Sequence, residues 1–211
     1  MNRCHITLYL KTHLHPKLMS PLACTFLTSK QYTAIQNLYI SLALSAMGYN
    51  HTWSVALRYG DHKYCGLQLR KLESETIIQK IQQLQLLVMK PDTSKLIFTM
   101  LAWYQHVLGL GSPILEQHPY SVNYINSCWL NDFVRLLRKY DVEIKLRTTY
   151  LQPLLRENDS FLMDRILTNH FSPTAIKKLH ACRLYLQVTL LSGIANLKGD
   201  RLLMNSLHGM R

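Results

Sequence analysis

Apolar side chains recur every three or four residues in long runs that begin and end at helix-boundary signals. The clearest run follows Thr28-Ser-Lys-Gln31, in which a hydroxyl precedes Gln by three residues, the spacing of a capping box. The run stops at Gly48, a residue suited to a left-handed C-cap. The predicted apolar stripe of this helix consists of Ile35, Leu38, Leu42 and Ala46. Such periodicity restricts the chain to a mainly helical fold.

The same spacing predicts two more helices on either side of Lys90-Pro91-Asp92. The first begins near Ser74, and the second extends to about Leu108 with Asp92 as its N-cap. Two helices joined by so short a turn are expected to form an antiparallel hairpin that packs as one unit. The predicted inward side chains are Ile77, Ile78, Ile81, Leu84 and Val88, then Leu96, Ile97, Met100, Leu101, Tyr104 and Val107.

Three later helices and a small amount of extended chain complete the prediction. The helices run from Ser127 to Tyr140, over residues 159–168, and from Ser172-Pro173 to about Ser192. Val142–Leu146 alternates with period two and predicts a strand. Short extended pieces are also expected at Val55–Tyr59 and Gly66–Leu69. The predicted fold is therefore mainly α, a helical bundle of five to six helices with one or two short strands.

The predicted organisation has four parts. Residues 1–27 are expected to be irregular, because Pro16 and Pro21 interrupt them. Residues 28–110 form a first helical unit and residues 111–195 a second. Residues 196–211 are a weakly patterned tail.

The charge of the chain is basic and unevenly spread. Lys and Arg number 24 against 12 Asp and Glu, a formal net charge of +12, and residues 1–60 contain no carboxylate at all. An excess of this size predicts a polyanionic partner, either nucleic acid or an anionic membrane surface. A basic chain without such a partner is the plainer alternative. Two uncharged stretches, Gln31–Leu57 and Leu96–Leu115, are interrupted by polar residues, so we expect no membrane-spanning helix. Of the two polyanions, we expect nucleic acid rather than a membrane to be the partner.

Cysteine, histidine and carboxylate patterns argue against a catalytic or metal site. The five cysteines include no CxxC pair, which favours reduced thiols and a cytoplasmic or nuclear location. His13 and His15 are the only close histidine pair, so no metal is expected. No nucleotide-binding, hydrolase or zinc-protease motif occurs, and no cofactor is expected. Enzymatic activity by this chain alone is not predicted.

Several short segments together resemble a known family. They are Ser20–Gln31, Leu42–Asn50, Leu57–Gly60, Tyr64–Leu67, Trp103–His106 with Gly109 and Pro113–Glu116, and Trp129–Asp132. This pattern is similar to the segment that follows the polymerase palm in retroelement reverse transcriptases of unicellular eukaryotes, notably algal ones. The likeness covers roughly residues 17–190.

The resemblance implies a thumb-like helical segment of an RNA-directed DNA polymerase. In that family the catalytic aspartates, including a Tyr/Phe-x-Asp-Asp turn, lie upstream of this segment, and no such turn occurs here. The chain is therefore expected to be a non-catalytic fragment or a decayed element copy, with the upstream palm as a candidate partner. Cys65-Gly66 stands where the family has Gly-Gly. If that first position requires a positive φ, Cys costs about 1 kcal/mol there.

A thumb-like unit grips nucleic acid through the phosphate backbone, so the resemblance implies nonspecific RNA or DNA binding. The candidate contacts are Lys30, Arg58, Lys63, Arg70 and Lys71 near the matching turns, and Arg135, Arg138 and Lys139 on the helix that ends at Tyr140. Each of them has the alternative of being an ordinary solvated charge. Tyr59 and Tyr64 either stack on bases or fill the core. Two other functions stay open: an all-α module that binds a protein partner, and a remnant without function.

Overall fold

The computed structural model describes residues 3–116, 123–147, 151–169, 171–196, 198 and 201–203. The described chain is mainly helical, which confirms the mainly α part of the predicted fold class. Its α-helices are α1 (Arg3–Tyr9), α2 (His15–Cys24), α3 (Ser29–Ala46), α4 (Val55–Tyr59), α5 (Leu72–Met89), α6 (Pro91–Leu108), α7 (Trp129–Lys139), α8 (Leu162–Thr168) and α9 (Pro173–Tyr185). A π-helical turn at Leu10–Leu14 joins α1 to α2, and 3₁₀ turns lie at His62–Tyr64 and Leu191–Gly193.

The chain divides into two compact units. The first contains Met1–Leu86 and Cys128–Phe133, and the second contains Leu87–Ser127 and Val134–Arg211. This division differs from the predicted boundary between residues 110 and 111. It also shows that the predicted one-unit hairpin is wrong, because α5 belongs to the first unit up to Leu86 and α6 belongs to the second. A short turn keeps the ends of two helices close together, but it does not force the helices to pack along their length. Each helix packs where its apolar face finds other apolar surface.

The prediction that residues 1–27 are irregular is wrong, since α1, the π-turn and α2 are helical from Arg3 to Cys24. Pro16 lies in the first turn of α2, directly after the π-turn, and Pro21 lies inside that helix. An interior proline costs about 3 kcal/mol. Burial of Leu10, Met19 and Leu22 offsets this cost, because each large apolar side chain contributes about 1.5–3 kcal/mol.

Helix α3 is the central element of the first unit, and its boundaries agree with the prediction. Thr28 and Gln31 form the expected capping box, with a distance of 2.8 Å from Thr28 N to Gln31 Oε1, and Gly48 has a φ of +72°. The predicted stripe is displaced, however, because Leu38 and Leu42 are exposed. The buried residues of α3 are Tyr32, Tyr39, Ile40, Ala43 and Leu44. Two tyrosines define this face, and a pattern read from aliphatic residues alone does not include them.

A compact turn follows α3 and returns the chain to α5. Val55–Tyr59, predicted to be extended, is the short helix α4. The segment after it pairs with α4, since Leu67 N donates to Leu57 O at 2.8 Å and Leu69 N donates to Arg58 O at 2.9 Å. These bonds bring the backbones of residues 60 and 66 so close that a Cβ on Gly66 would lie 2.1 Å from the carbonyl oxygen of Gly60.

Gly66→Ala is therefore expected to lower the free energy of unfolding by about 1–3 kcal/mol, the usual cost of overpacking. Gly48→Ala is the control, because Gly48 has a positive φ of +72° but a Cβ there would meet no other part of the protein within 4 Å. The control is expected to cost about 1 kcal/mol for its positive φ alone. Urea unfolding monitored by circular dichroism checks both values. A Gly66→Ala variant as stable as the wild type would contradict the close backbone contact.

Helix α6 of the second unit begins and ends at signals that the sequence contains. Lys90 rather than Asp92 is the N-cap, because Pro91 occupies the first helical position and moves the cap upstream. Gly109 ends the helix with a φ of +66°. The buried guanidinium of Arg183 donates to the carbonyls of Val107 and His106 at this end, and so satisfies acceptors that have no partner within the helix.

The rest of the second unit agrees with the prediction in part. Ser172 caps α9 as expected, with Ala175 N donating to Ser172 Oγ at 3.3 Å, but α9 ends at Tyr185 rather than near Ser192. The predicted strand at Val142–Leu146 is absent from the described structure. That segment alternates in burial as expected, yet only isolated bridges, Phe161 to Leu190 and Ala195 to Leu202, occur among the described residues. A period-two pattern predicts an extended chain, but a strand also needs a neighbouring strand.

Among the helices that the structure describes, none combines the length and the apolar composition needed to cross a membrane.

Candidate nucleic-acid interface

The predicted cationic contacts fall into two groups. Lys30, Arg58, Lys63, Arg70 and Lys71 belong to the first compact unit, and Arg135, Arg138 and Lys139 belong to the second. Each group is a separate candidate surface.

The turn between α4 and α5 displays three of the predicted cations. Lys63, Arg70 and Lys71 are all exposed there. Lys71 Nζ lies 5.3 Å from the centre of the Tyr59 ring, and Lys63 Nζ lies 4.8 Å from the centre of the Tyr64 ring. An ammonium group at this distance is attracted to the face of an aromatic ring, which restricts where the flexible side chain can point.

Gln36 of α3 holds this turn against the helix. Its Oε1 accepts a hydrogen bond of 2.7 Å from Leu72 N, and its Nε2 donates to Tyr59 Oη at 3.3 Å and to Arg70 O at 3.4 Å. Tyr59 is half-buried, while Tyr64 is 70% exposed. Tyr59 therefore fills space beneath the turn, and Tyr64 is the tyrosine whose ring is accessible for stacking on a base. Gln36 has no sequence signal beyond its place in α3, since its role arises only from the fold.

The guanidinium of Arg58 is already engaged in hydrogen bonds within the protein. Its Nε donates to the carbonyl of Trp53 at 2.6 Å and its Nη2 to the carbonyl of His51 at 2.7 Å. These bonds lock the loop that precedes α4. Arg58 is also half-buried, so only part of its guanidinium is available to a phosphate.

Arg70 and Lys30 occupy more open positions. Arg70 Nη1 pairs with Glu75 Oε2 at 3.0 Å, and 60% of its side chain is exposed. An exposed ion pair of this kind contributes about 0–1 kcal/mol and exchanges readily for a phosphate. Lys30 is exposed in the first turn of α3.

The second group, on α7, is less accessible than predicted. Lys139 is exposed, with Nζ 6.0 Å from the centre of the Tyr140 ring, whereas Arg135 and Arg138 are half-buried. Burial lowers the pKa of Arg138, although nearby Tyr124 acts in the opposite direction. Arg138 is thus part of the packed second unit, and changes to it would disturb folding.

Lys11 is a basic residue that the prediction missed. It lies on the π-turn, is exposed, and places Nζ 3.4 Å from both His62 Nε2 and Gln68 Oε1. It borders an open cleft of about 540 Å³ that Met47, Tyr49 and Cys65 also line. Lys11 lies within the first sixty residues, whose lack of carboxylates already indicated a basic surface. Because residues 1–27 were predicted to be irregular, the sequence assigned Lys11 no position in the fold.

Cys65 adopts a left-handed backbone conformation, in which a residue with a Cβ is strained. Its φ is +59°, and it ends the 3₁₀ turn at His62–Tyr64. The thiol is exposed and free. A left-handed β-substituted residue carries the expected cost of about 1 kcal/mol, which glycine would remove.

The buried ion pair of Lys80 and Asp132 also escaped prediction. Lys80 Nζ lies 2.7 Å from Asp132 Oδ2 and 2.9 Å from the carbonyl oxygen of Thr25, and neither ionic side chain is more than 6% exposed. A usable signal existed, because Lys80 falls on the apolar stripe of α5 between Ile77 and Leu84. This pair joins three segments of the first unit and has a structural role.

The described residues contain no group of three or more His, Cys, Asp or Glu side chains placed to hold a metal ion.

Comparison with protein-family models, with curated proteins and with solved structures finds no match to this chain. Function must therefore be inferred from its own residues and their geometry.

Proposed function

We propose that this chain binds the phosphate backbone of RNA or DNA without sequence preference, as a palm-following helical region of a retroelement reverse transcriptase. One observation carries the proposal. Residues 1–71 contain eight Lys and Arg and a single carboxylate, Asp61. Most of these cations lie on the surface of the first unit. They are Lys11, Lys17, Lys30, Lys63, Arg70 and Lys71.

The local geometry supports backbone binding rather than base reading. Asp61 accepts a hydrogen bond from Lys63 N at 3.1 Å and so caps the turn instead of opposing a ligand. The exposed cations are chiefly lysines, which act as point charges toward phosphate oxygens and discriminate poorly between bases. Tyr64 adds a sequence-tolerant stacking surface next to Lys63.

Catalysis is not part of the proposal. Two-metal phosphoryl transfer requires clustered carboxylates, and the chain lacks a Tyr/Phe-x-Asp-Asp turn. The chemistry of the family would be supplied by a polymerase palm, which we propose as a partner of this helical region. The chain itself would contribute grip on the nucleic acid.

The test compares three neutralised lysines with three others of equal charge. Lys30→Gln, Lys63→Gln and Lys71→Gln together are expected to weaken oligonucleotide binding and to reduce the slope of log K against log salt by about 2–3, since each phosphate contact contributes about 0.7–0.9. The control is Lys95→Gln, Lys177→Gln and Lys178→Gln, three exposed lysines of the second unit. Fluorescence anisotropy at roughly 50–200 mM salt, the range over which such binding changes strongly, measures both slopes.

Equal losses in the two triple variants would contradict a localised binding surface, because they would show that net charge alone attracts the oligonucleotide. Wild-type binding that does not depend on salt would overturn the proposal altogether. Arg58 and Arg138 are left unchanged because their burial would mix folding effects with binding effects.

A second candidate function is supported by an apolar surface on α6. Leu96, Met100 and Trp103 repeat at helical spacing and are 62%, 51% and 66% exposed. Three large apolar side chains in one stripe are typical of a helix that contacts another protein. Under this alternative, the wild-type chain does not bind oligonucleotides at physiological salt, and the two triple variants behave alike.

A further inference from the structure

An aromatic ring is displayed on the surface of the first unit by Tyr64, at the end of the 3₁₀ turn. Tyr64 is 70% exposed. Lys63 Nζ lies over the ring, 4.8 Å from its centre, and so occupies one face. Because the residue is so widely exposed, the opposite face of the ring is open to solvent.

The backbone under this ring is fixed by hydrogen bonds within the turn. Tyr64 N and Gly66 N both donate to the carbonyl oxygen of Asp61 at 3.0 Å, and Cys65 N donates to that of His62 at 3.0 Å. The His62 ring closes the turn, since its Nδ1 donates to the carbonyl oxygen of Gly66 at 2.8 Å. A ligand that contacts Tyr64 therefore has only the side-chain torsions of the ring to order. A tyrosine presented in this way supplies contact area at a low cost in conformational entropy.

An open cleft begins beside the same turn. Its volume is about 540 Å³, within the range of ordinary ligand pockets. His62 and Cys65, which flank Lys63 and Tyr64 in the chain, line this cleft. Its large apolar lining residues are Leu8, Met47, Tyr49 and Leu67. Apolar walls with a few polar groups suit a flat heterocyclic ring.

Lys11 brings a positive charge to this cleft. Its Nζ lies 3.4 Å from Gln68 Oε1 and 3.4 Å from His62 Nε2. Because Nδ1 of His62 donates to Gly66, Nε2 is the nitrogen that accepts from the ammonium group. Neither acceptor carries a negative charge, and an ammonium group has three N–H donors. Lys11 therefore retains both its charge and a donor for a phosphate oxygen.

We propose that the turn and the cleft together bind the unpaired nucleotides of a single strand, with one base stacked on Tyr64 and a neighbouring nucleotide in the cleft. This inference rests on the proposed function and names its substrate class, a single strand of RNA or DNA rather than a duplex. Neighbouring base pairs cover the faces of the bases inside a duplex. A single strand offers a face at every base, and stacking on an aromatic side chain tolerates any sequence. The exposed Lys63, Arg70 and Lys71 supply charge for its phosphates.

Two single strands of equal length and charge test the contribution of the bases. One is an oligothymidylate, and the other carries abasic residues throughout. Fluorescence anisotropy with the full chain is expected to show about tenfold tighter binding of the oligothymidylate, which is within the range for one stacked base. A duplex of the same length should bind more weakly than the oligothymidylate, although it has twice as many phosphates.

Substitution of Tyr64 locates this effect in the protein. Tyr64→Ala should weaken binding of the oligothymidylate about tenfold and leave binding of the abasic strand and the duplex unchanged, because only the stacked base is lost. Tyr64→Phe keeps the ring and should bind as the wild type does. The matched control is Tyr185→Ala, since Tyr185 is 82% exposed on α9 of the second unit. Circular dichroism confirms that each variant is folded.

The thiol of Cys65 reports on the cleft without any substitution. It is free and exposed, as is the thiol of Cys182 in the second unit. Saturating oligothymidylate should slow the alkylation of Cys65 by iodoacetamide, because the bound nucleotide covers the thiol. The rate at Cys182 should not change. Mass spectrometry of the peptides measures the two rates separately.

Several results would overturn the inference while the proposed function stands. They are equal affinities for the oligothymidylate and the abasic strand, tighter binding of the duplex, equal effects of Tyr64→Ala and Tyr185→Ala, and equal alkylation of Cys65 with and without the strand. In each case salt-dependent binding of the duplex and the abasic strand would still support backbone binding. Absence of salt-dependent binding to all of these probes would overturn the proposed function, and this inference with it.

Discussion

Lys80→Met is expected to lower the free energy of unfolding by about 3–5 kcal/mol. The substitution preserves the length of the side chain but leaves the carboxylate of Asp132 buried without its counter-charge. The side chain of Asp132 is only 6% exposed, so water cannot replace the lost ammonium group. A buried charge without a partner is among the most costly defects that a single substitution creates.

The geometry around Lys80 explains why the cost is at the upper end. Its Nζ donates to Asp132 Oδ2 at 2.7 Å and to the carbonyl oxygen of Thr25 at 2.9 Å, and it lies 5.1 Å from the centre of the Trp129 ring. Trp129 Nε1 in turn donates to the carbonyl of Ala23 at 2.8 Å. The end of α2, the middle of α5 and the start of α7 therefore share one polar network. Loss of its central cation affects all three segments.

Two companion variants make this prediction specific. Lys80→Met combined with Asp132→Leu removes both charges and is expected to recover most of the loss, because a well-packed apolar pair is often as stable as a buried ion pair. Arg70→Met breaks the exposed pair with Glu75 in the same unit and should cost no more than about 1 kcal/mol. Urea unfolding followed by tryptophan fluorescence measures all of these values. A Lys80→Met variant within about 1 kcal/mol of the wild type would refute the buried pair, because the loss of one partner from such a pair costs well above that amount.

The second unit is expected to lose about 2–3 kcal/mol of stability between pH 6.5 and pH 4, through His180 alone. His180 is 6% exposed, and its ring centre lies 4.9 Å from that of Tyr124. Burial, with a contribution from the positive charge of Arg183, lowers the pKa of His180 from 6.5 to about 4. Tyr124 is neutral, since burial raises its pKa, and offers the imidazolium no counter-charge.

The direction of the effect follows from proton uptake. Below pH 6.5 the unfolded chain binds a proton at His180, while the folded unit resists protonation until about pH 4. Acid therefore favours the unfolded state over this window, and the contribution of His180 to stability is complete above pH 6.5.

His180→Gln should flatten this pH dependence, because Gln does not titrate. His106→Gln, a change to an exposed histidine of the same unit, is the control and should leave the dependence as it is. Hydrogen exchange of the α9 backbone amides at about pH 7, 5.5 and 4.5, spanning the titration window, reports the stability of this unit. An unchanged slope in His180→Gln would show that the ring is accessible to protons in the folded state.

Asp159 titrates at lower pH than His180, so it does not contribute to the pH dependence measured for His180. Burial opposes its ionisation, but hydrogen bonds from Ser192, Ser160 and Leu155 outweigh burial and lower the pKa of its carboxyl. Its contribution is present above the ordinary Asp range and is lost only as the pH falls below about 4.

The sequence by itself determined the helical class and several element boundaries, because these depend on neighbours within one helical turn. The capping box of Thr28 and Gln31, the left-handed Gly48 and the N-cap Ser172 are local hydrogen-bond or backbone features, and the structure contains all three. The uneven charge is also a property of the sequence alone, and it is the basis of the proposed binding function.

Only the tertiary structure decided which faces are buried and which charges are accessible. Burial of distant side chains outweighs a local proline penalty in α2, and it draws Lys80 into the core once Asp132 is there to pair with it. The same packing leaves Met100 in solvent and half-buries Arg138. Such outcomes depend on contacts between residues that are far apart in the chain. Patterns of neighbouring residues do not show which distant residues will be in contact.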